Sequence, residues 1–288
     1  MSVFLALLLL AQVGPVTAPG MDDPTQLPPE IVERKEREAA APVVDQPEES
    51  RAVKLDISPD LAQCLVEANE DPLAAAEASR EWFDASQGRE RAEAGHCLGV
   101  ALSRLERWEP AYVAFVASRD NSAPEDLAAR ARRGSMAGNA ALASGDARAA
   151  LDALELAETD ARNSEQPDFA GEIALDKAQA LVALGREEEA ARSLAVARAA
   201  LPESAQAWLL SATLSRRMGD LASAQTQIER AAELMPIAPD IGLEAGVIAV
   251  LSGRDEAARK SWQSVIDAAP ESDAARVARG YIEQLEAS

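Results

Sequence analysis

The sequence has 288 residues, 48% of them apolar, which allows one elongated domain or two compact domains with a buried core. Forty-nine acidic residues against 28 basic ones give a formal net charge of −21, so a phosphate backbone or an anionic lipid surface is repelled overall and nucleic acid is not an expected partner. Only 3% of the residues are aromatic, and alanine and leucine dominate, which favours packed helices over β-sheet cores. The expected fold class is all-α.

The first residues, MSVFLALLLLAQVGPVTAPG, predict a secretory signal peptide over 1–18 or 1–20. An apolar run at 3–10 is followed by Val16 and Ala18, which are spaced for cleavage. No Lys or Arg precedes the run, so a buried N-terminal helix is the alternative. The run is shorter than the about 20 residues that span a bilayer, so no membrane span is expected after signal removal. Arginine outnumbers lysine 24 to 4, which suggests a bacterial source. A bacterial source and the predicted signal peptide together imply a periplasmic or secreted protein.

Residues 21–56 predict a disordered acidic and proline-rich linker. They contain five prolines and fifteen charges with few large apolar groups. Such a segment cannot bury enough surface to offset its chain entropy. The pattern around 31–40 is compatible with a short helix, but nothing obliges that helix to pack.

From Asp60 onward, apolar residues recur at helical spacing and are interrupted every 12 to 20 residues by glycine or proline, which indicates helical hairpins. Several sets of residues then share a period of 34. These sets are Gly185, Gly219 and Gly253; Ala190, Ala224 and Ala258; Leu194, Ile228 and Trp262; Pro202, Pro236 and Pro270; and Ala178, Ala212, Gly246 and Gly280.

With Trp208 early, Ala212 four residues later and Gly219 between the helices, the 34-residue unit resembles a tetratricopeptide repeat. The resemblance implies an α-solenoid, a right-handed superhelix of about five to six hairpins over 57–288, with the first helices lining a concave groove. The units are expected near 60–86, 92–121, 131–160, 171–204, 205–238 and 239–272, with an insertion at 162–169 and a capping helix at 273–287.

The repeated residues have expected packing roles. Glycine after each first helix is expected to adopt a positive φ. Ala212 and Ala224 are expected to face each other where the helices cross, and Ile228 and Trp262 to fill the gap to the next unit. The run at 129–134, ARARRG, is locally basic in an acidic protein, and an exposed helical face explains it as well as a functional role does.

Residues that could carry catalysis are few. The sequence has no HExxH, CxxC or GxSxG pattern, no glycine-rich phosphate loop and a single histidine. His96 and Cys97 are adjacent, and neighbours on a helix point about 100° apart, so they do not form a nucleophile and base pair. With Cys64 they lack a fourth metal ligand at a recognisable spacing. The protein is expected not to be an enzyme and to use no cofactor and no metal.

The two cysteines have another use if the chain is exported. An oxidising compartment and an even cysteine count permit pairing, so a Cys64–Cys97 disulfide is predicted between the first helices of adjacent hairpins. Two buried free thiols are the alternative. A thiol-based redox or enzymatic role centred on Cys64, Cys97 and His96 is a further hypothesis.

The resemblance assigns the groove to the second, fifth, ninth, twelfth and thirteenth positions of each unit. The expected partner-binding residues are Gln179, Val182, Leu209, Thr213, Arg216, Arg217, Leu243, Val247 and Val250. The leucines and valines suggest an apolar strip, suited to an amphipathic or extended peptide. The groove has no lysine, which argues against a clamp for a C-terminal carboxylate. The alternative is that these side chains pack within the superhelix.

The expected function is that of an exported, non-catalytic adaptor that binds a protein or peptide partner in cell-envelope assembly or secretion. A self-associating structural subunit is another hypothesis, and the sequence leaves the oligomeric state open.

Overall fold

A computed structural model describes residues 57–286, and within that range the chain forms thirteen α-helices and no β-strand. The predicted all-α solenoid is confirmed, because each helix packs against the next along the whole series. The predicted signal peptide and linker lie outside the described residues. The helices are α1 (Pro59–Glu70), α2 (Pro72–Ala85), α3 (Gly88–Arg104), α4 (Trp108–Asp120), α5 (Leu127–Ser144), α6 (Ala147–Asn163), α7 (Pro167–Ala183), α8 (Glu187–Ala200), α9 (Ala205–Arg217), α10 (Leu221–Leu234), α11 (Pro239–Leu251), α12 (Asp255–Ala268) and α13 (Asp273–Glu286).

Tight turns join the two helices of each hairpin from α3 onward. As predicted, the turn glycines adopt the left-handed conformation; Gly219, for example, has a φ of 81°. In the α3–α4 turn the equivalent position is Glu106, with a φ of 55°. The unit that begins at Ala92 therefore makes the same turn without glycine, which is one reason why its sequence follows the pattern loosely.

Helix crossings within a hairpin pair a small residue with a large one. A Cβ added to Gly99 would collide with the Phe115 ring, and one added to Gly246 would collide with the Trp262 indole. The expectation that Trp262 fills the gap to the next unit is therefore wrong in part. Trp262 covers Gly246 of its own hairpin and also lies with its ring centroid 5.1 Å from that of Tyr281 on α13.

The first helices of the hairpins differ in where they begin. Aligned on the repeat, α3, α5 and α7 each start one turn earlier than α9 and α11, and all of them end within one residue of the same repeat position. The expected insertion at 162–169 is not a loop: α6 runs to Asn163 and α7 starts at Pro167, so most of these residues lengthen two helices.

Buried charged side chains tie α4, α5 and α6 together. Arg119 donates to Asp160 at 2.6 Å, and each side chain is only about a tenth exposed. Arg130 lies 3.6 Å from the same carboxylate. Arg133 is buried and donates to the Ser122 hydroxyl, so the run at 129–134 is not the exposed face expected for it. Hydrogen bonding to fixed partners is what makes such burial tolerable.

No helix within residues 57–286 is both long enough and apolar enough to cross a membrane.

Candidate partner-binding groove

Two apolar depressions open between neighbouring first helices. The first lies between α3 and α5 over α4 and has a volume of about 410 Å³, and the second lies between α7 and α9 over α8 and has a volume of about 250 Å³. The first is lined by Val100, Ser103, Arg104, Trp108, Phe115, Met136, Asn139, Ala140 and Ala143. The second is lined by Ala178, Gln179, Val182, Ala183, Leu194, Leu210, Thr213, Leu214 and Arg217.

The two depressions occupy the same place in the repeat. Aligned on the small residue at each helix crossing, most of the lining positions correspond one to one. The pairs are Val100 and Gln179, Ser103 and Val182, Arg104 and Ala183, Phe115 and Leu194, Met136 and Leu210, Asn139 and Thr213, Ala140 and Leu214, and Ala143 and Arg217. The repeat geometry therefore builds one kind of apolar depression twice.

Four of the predicted binding residues meet at the second depression, namely Gln179, Val182, Thr213 and Arg217. Gln179 is exposed, and Val182 and Thr213 are half-buried, so their side chains are partly open to solvent. Arg217 lies at the rim, where it donates to Glu187 at 3.0 Å.

The other predicted residues do not line either depression. Leu209 packs against the core formed by α9, α10 and α11. Leu243, Val247 and Val250 pack against the last core, to which α13 contributes Ala278. Tyr281, Ile282 and Leu285 of the capping helix pack against the same core. The leucines and valines of the predicted apolar strip are half-buried, as Val182 is, so each divides its surface between the solenoid core and solvent.

Arg216 is also occupied. Its guanidinium makes two hydrogen bonds to the Glu244 carboxylate on α11, at 2.6 and 3.3 Å. Both side chains are less than a quarter exposed. This pairing links α9 to α11, so the Arg216 side chain stabilises the packing of these two helices.

Sequence reasoning missed Leu210, Leu214 and Leu194 in the second depression. The nine predicted partner-binding residues include none that lines the first, although Asn139 and Ala143 stand at the ninth and thirteenth groove positions of their unit and do line it. Leu210 stands at the sixth position of its unit, next to the positions used to define the groove. The available signal was the apolar character shared by Met136 and Leu210 at this sixth position.

Asp176 lies on α7 between the two depressions. The Asn139 side-chain amide, which lines the first, lies near enough to the Asp176 carboxylate to lower its pKa. Gln179, which lines the second, places its Nε2 3.4 Å from Asp176 Oδ1. Burial raises the pKa of the Asp176 carboxyl above its ordinary value, the nearby Asn139 amide opposes the rise, and the charge of Glu172 adds to it.

The sulfur atoms of Cys64 and Cys97 are bonded to each other and link α1 to α3, with the two Cα atoms 6.1 Å apart. His96 beside them is buried, with its ring centroid 6.4 Å from that of Phe115. Burial lowers the pKa of His96 to about 4, with the charges of Arg133 and Arg132 acting in the same direction. Both cysteines of the chain are in the bond, so no thiol is free to act as a nucleophile. Within residues 57–286 no three His, Cys, Asp or Glu side chains are placed to hold a metal ion.

No protein family model matches the chain, and no curated protein matches it. Solved structures do. PilW, a widely conserved type IV pilus biogenesis factor, is similar with a TM-score of 0.61 and 15% identity over 77% of this chain and 99% of that one. YrrB, a TPR protein with an unusual peptide-binding site, is similar with a TM-score of 0.52 and 21% identity over 71% and 99%. MamA from Desulfovibrio magneticus RS-1 is similar with a TM-score of 0.55 and 16% identity over 64% and 97%.

The helix order and the similarity to these solved structures identify the class of fold: the described part of the chain is a solenoid of helical hairpins. The particular fold follows from the 34-residue period, the turn glycines and the solved structures together. It is the tetratricopeptide repeat fold.

Proposed function

We propose that this protein is an exported scaffold that holds a protein or peptide partner in its concave groove and does not transform it chemically. The observation that carries the proposal is the recurrence of one apolar depression at equivalent places in the repeat. Concave, mostly apolar surfaces with a few polar groups are the surfaces that take up ligand side chains. A groove built by repeats offers several such sites to one extended or helical segment.

The openings of the depressions support a binding role rather than a packing defect. Ala143 and Ala183 occupy equivalent positions at the ends of α5 and α7, and both are exposed. Each lines a depression, so an incoming side chain reaches the apolar floor without any movement of the helices.

The disulfide supports export. Such bonds persist in oxidising compartments and are rare where thiols are kept reduced. Together with the apolar run at 3–10, the Cys64–Cys97 bond favours a periplasmic or secreted protein. PilW is a pilus biogenesis factor with the same fold, and at 15% identity that likeness concerns the fold. A role in envelope assembly or secretion therefore rests on the proposed export and on the groove.

The experiment replaces an exposed alanine in each depression with arginine. Ala143→Arg and Ala183→Arg place charge and bulk in the two depressions while removing no core atom. Arginine already stands at equivalent positions, as Arg104 and Arg217, so the helix ends tolerate it. The matched control is Ala195→Arg, at an exposed alanine on α8 that lines neither depression.

The full mature chain is used as bait in its native compartment, and captured proteins are identified by mass spectrometry. Wild type and Ala195→Arg should retain the same specific protein, and the two groove variants should lose it with unchanged helical circular dichroism. Retention by both groove variants would show that the partner binds elsewhere. If the captured protein is a second copy of this chain, light scattering will show the assembly, and a self-associating subunit becomes the better description.

A further inference from the structure

Building on the proposed function, we infer that the groove accepts an extended peptide in which a basic side chain lies between two apolar side chains. The apolar side chains occupy the two depressions, and the basic one pairs with Asp176 on α7.

The order of groups along the groove carries this inference. Met136, Asp176 and Leu210 occupy the same repeat position on α5, α7 and α9. Met136 lines the first depression and Leu210 lines the second. Gln179, which lines the second depression, places its Nε2 3.4 Å from Asp176 Oδ1, and the Asn139 amide of the first depression lies near the same carboxylate, so Asp176 stands between the two depressions. A partner that crosses these three helices therefore meets an apolar, an acidic and an apolar site in turn.

The carboxylate of Asp176 lacks the cation that its counterpart has. Glu244 stands at the same repeat position on α11 and is neutralised by two hydrogen bonds from Arg216. Among the described residues, Asp176 makes no ion pair, and its polar partners are the neutral amides of Asn139 and Gln179. The neighbouring charge is acidic Glu172. Charge complementarity at this place therefore selects a Lys or Arg from the partner.

Burial strengthens that selection. Asp176 is half-buried, and burial raises the pKa of its carboxyl. A partly desolvated carboxylate gains more from a bound cation than an exposed one does, because the local dielectric is lower.

The spacing of the depressions predicts the spacing in the peptide. Neighbouring packed helices lie about 8–10 Å apart. The second depression is displaced from the first by two first helices, so the two depressions are separated by roughly 20 Å. An extended chain rises about 3.3 Å per residue and covers this distance in about six residues. In a polyproline II conformation, with three residues per turn, positions 1, 4 and 7 of such a peptide share one face.

The test uses three fluorescent peptides, acetylated and amidated, that differ only at these positions. The first has Leu at positions 1 and 7 and Lys at position 4, the second has Glu at position 4, and the third has Ser in place of both leucines. Binding to the full mature chain is measured by fluorescence anisotropy for wild type, Asp176→Asn and the control Asp168→Asn. Asp168 is an exposed acid in the first turn of the same helix.

Wild type and Asp168→Asn should bind the Lys peptide about tenfold more tightly than the Glu peptide and the Ser peptide, and Asp176→Asn should lose the preference for Lys over Glu. Equal binding of the Lys and Glu peptides by wild type, or a preference that survives Asp176→Asn, would overturn the inference. If no peptide binds while the native partner is still captured and is lost in Ala183→Arg, the inference is wrong and the proposed function stands. If Ala143→Arg and Ala183→Arg also retain the captured partner, both the inference and the proposed function are wrong.

Discussion

The first helices of the amino-terminal hairpins and those of the carboxyl-terminal hairpins end alike and begin differently. In α9 and α11 the helix starts at the first residue of the 34-residue unit, whereas α3, α5 and α7 start a turn earlier. The extra turn brings long polar side chains over the hairpin before it. Arg91 in α3, for example, donates to the Phe83 carbonyl at 3.0 Å and places its guanidinium 3.9 Å from the centre of the Phe83 ring.

The same contrast appears in what is buried. Among the described residues, the buried charged side chains Glu93, Arg119, Arg133, Glu158 and Asp160 all lie in α3–α6. The regular hairpins from α9 onward bury only apolar and small side chains. The lengthened helices thus coincide with the most deeply buried ion pairs between hairpins, whereas the regular hairpins combine repeated apolar packing with the less buried Arg216–Glu244 pair. Four changes would break or sharpen this contrast.

The largest effect is expected for Asp160→Ala. This change removes the buried carboxylate of Arg119 and leaves only the exposed Asp120 carboxylate at 3.5 Å, and loss of one partner of a buried pair costs about 3–5 kcal/mol. The control Glu203→Ala breaks the exposed pair with Arg230 and should cost at most about 1 kcal/mol. Urea unfolding followed by circular dichroism measures both. Equal costs would show that the amino-terminal ion pairs are no stronger than those at the surface.

Removal of the disulfide should cost about 3–4 kcal/mol, because the bond restricts the unfolded chain over a loop of 33 residues. The Cys64→Ala plus Cys97→Ala variant should lose amide-exchange protection in α1–α3 and keep it in α9–α13. Reductant should reproduce this loss in wild type and change nothing in the variant. An even loss of protection along the solenoid would mean that the two regions unfold together.

Stability should fall as the pH is lowered from 7 to 4. His96 has a folded pKa of about 4, below the ordinary 6.5, so between these values the unfolded chain binds a proton that the folded chain does not. The linkage amounts to about 3 kcal/mol across this interval. The difference in unfolding free energy between wild type and His96→Gln should therefore shrink toward low pH, since only the wild type carries the penalty. A difference that stays constant with pH would show that the folded pKa of His96 is close to its ordinary value of 6.5.

The smallest effect is expected for Gly246→Ala. The added methyl group meets the Trp262 ring, and overpacking of this kind costs about 1–3 kcal/mol. Trp262→Ile in the same chain should recover part of the loss, because the preceding hairpin uses Ala212 and Ile228 at these positions. Gly280→Ala is the control, since a Cβ there meets nothing within 4 Å. Thermal unfolding measures all three, and no rescue by Trp262→Ile would rule out the size pairing.

The sequence predicts the regular hairpins well because their small residues, turns and apolar positions recur at one interval. It predicts the earlier hairpins less well, because there the interval is lengthened by an extra helical turn and the α3–α4 turn uses Glu106. The basic run at 129–134 was misplaced for a related reason. Charged residues are normally exposed, and the acidic partner of Arg119 and Arg130 comes from α6, distant in sequence.

The sequence predicts only part of the groove, and the reason is geometric. Repeat positions identify which helix face is concave, and four of the nine chosen residues do line the second depression. Repeat positions do not show which of those side chains the next helix covers. Leu243, Val247 and Val250 pack against a core to which the capping helix contributes Ala278, and Arg216 pairs with Glu244, so these surroundings depend on the neighbouring helix rather than on the position itself.

The early start of α3, α5 and α7 also gives the groove walls of unequal height. One added turn of helix is about 6 Å, so along the edge formed by the helix starts the wall stands higher at the amino-terminal end than beside α9 and α11. The opposite edge, formed by the helix ends and the tight turns, is level. A partner's folded domain attached to the bound segment would therefore meet the least steric obstruction if the segment left the groove over the level edge or beside α9 and α11.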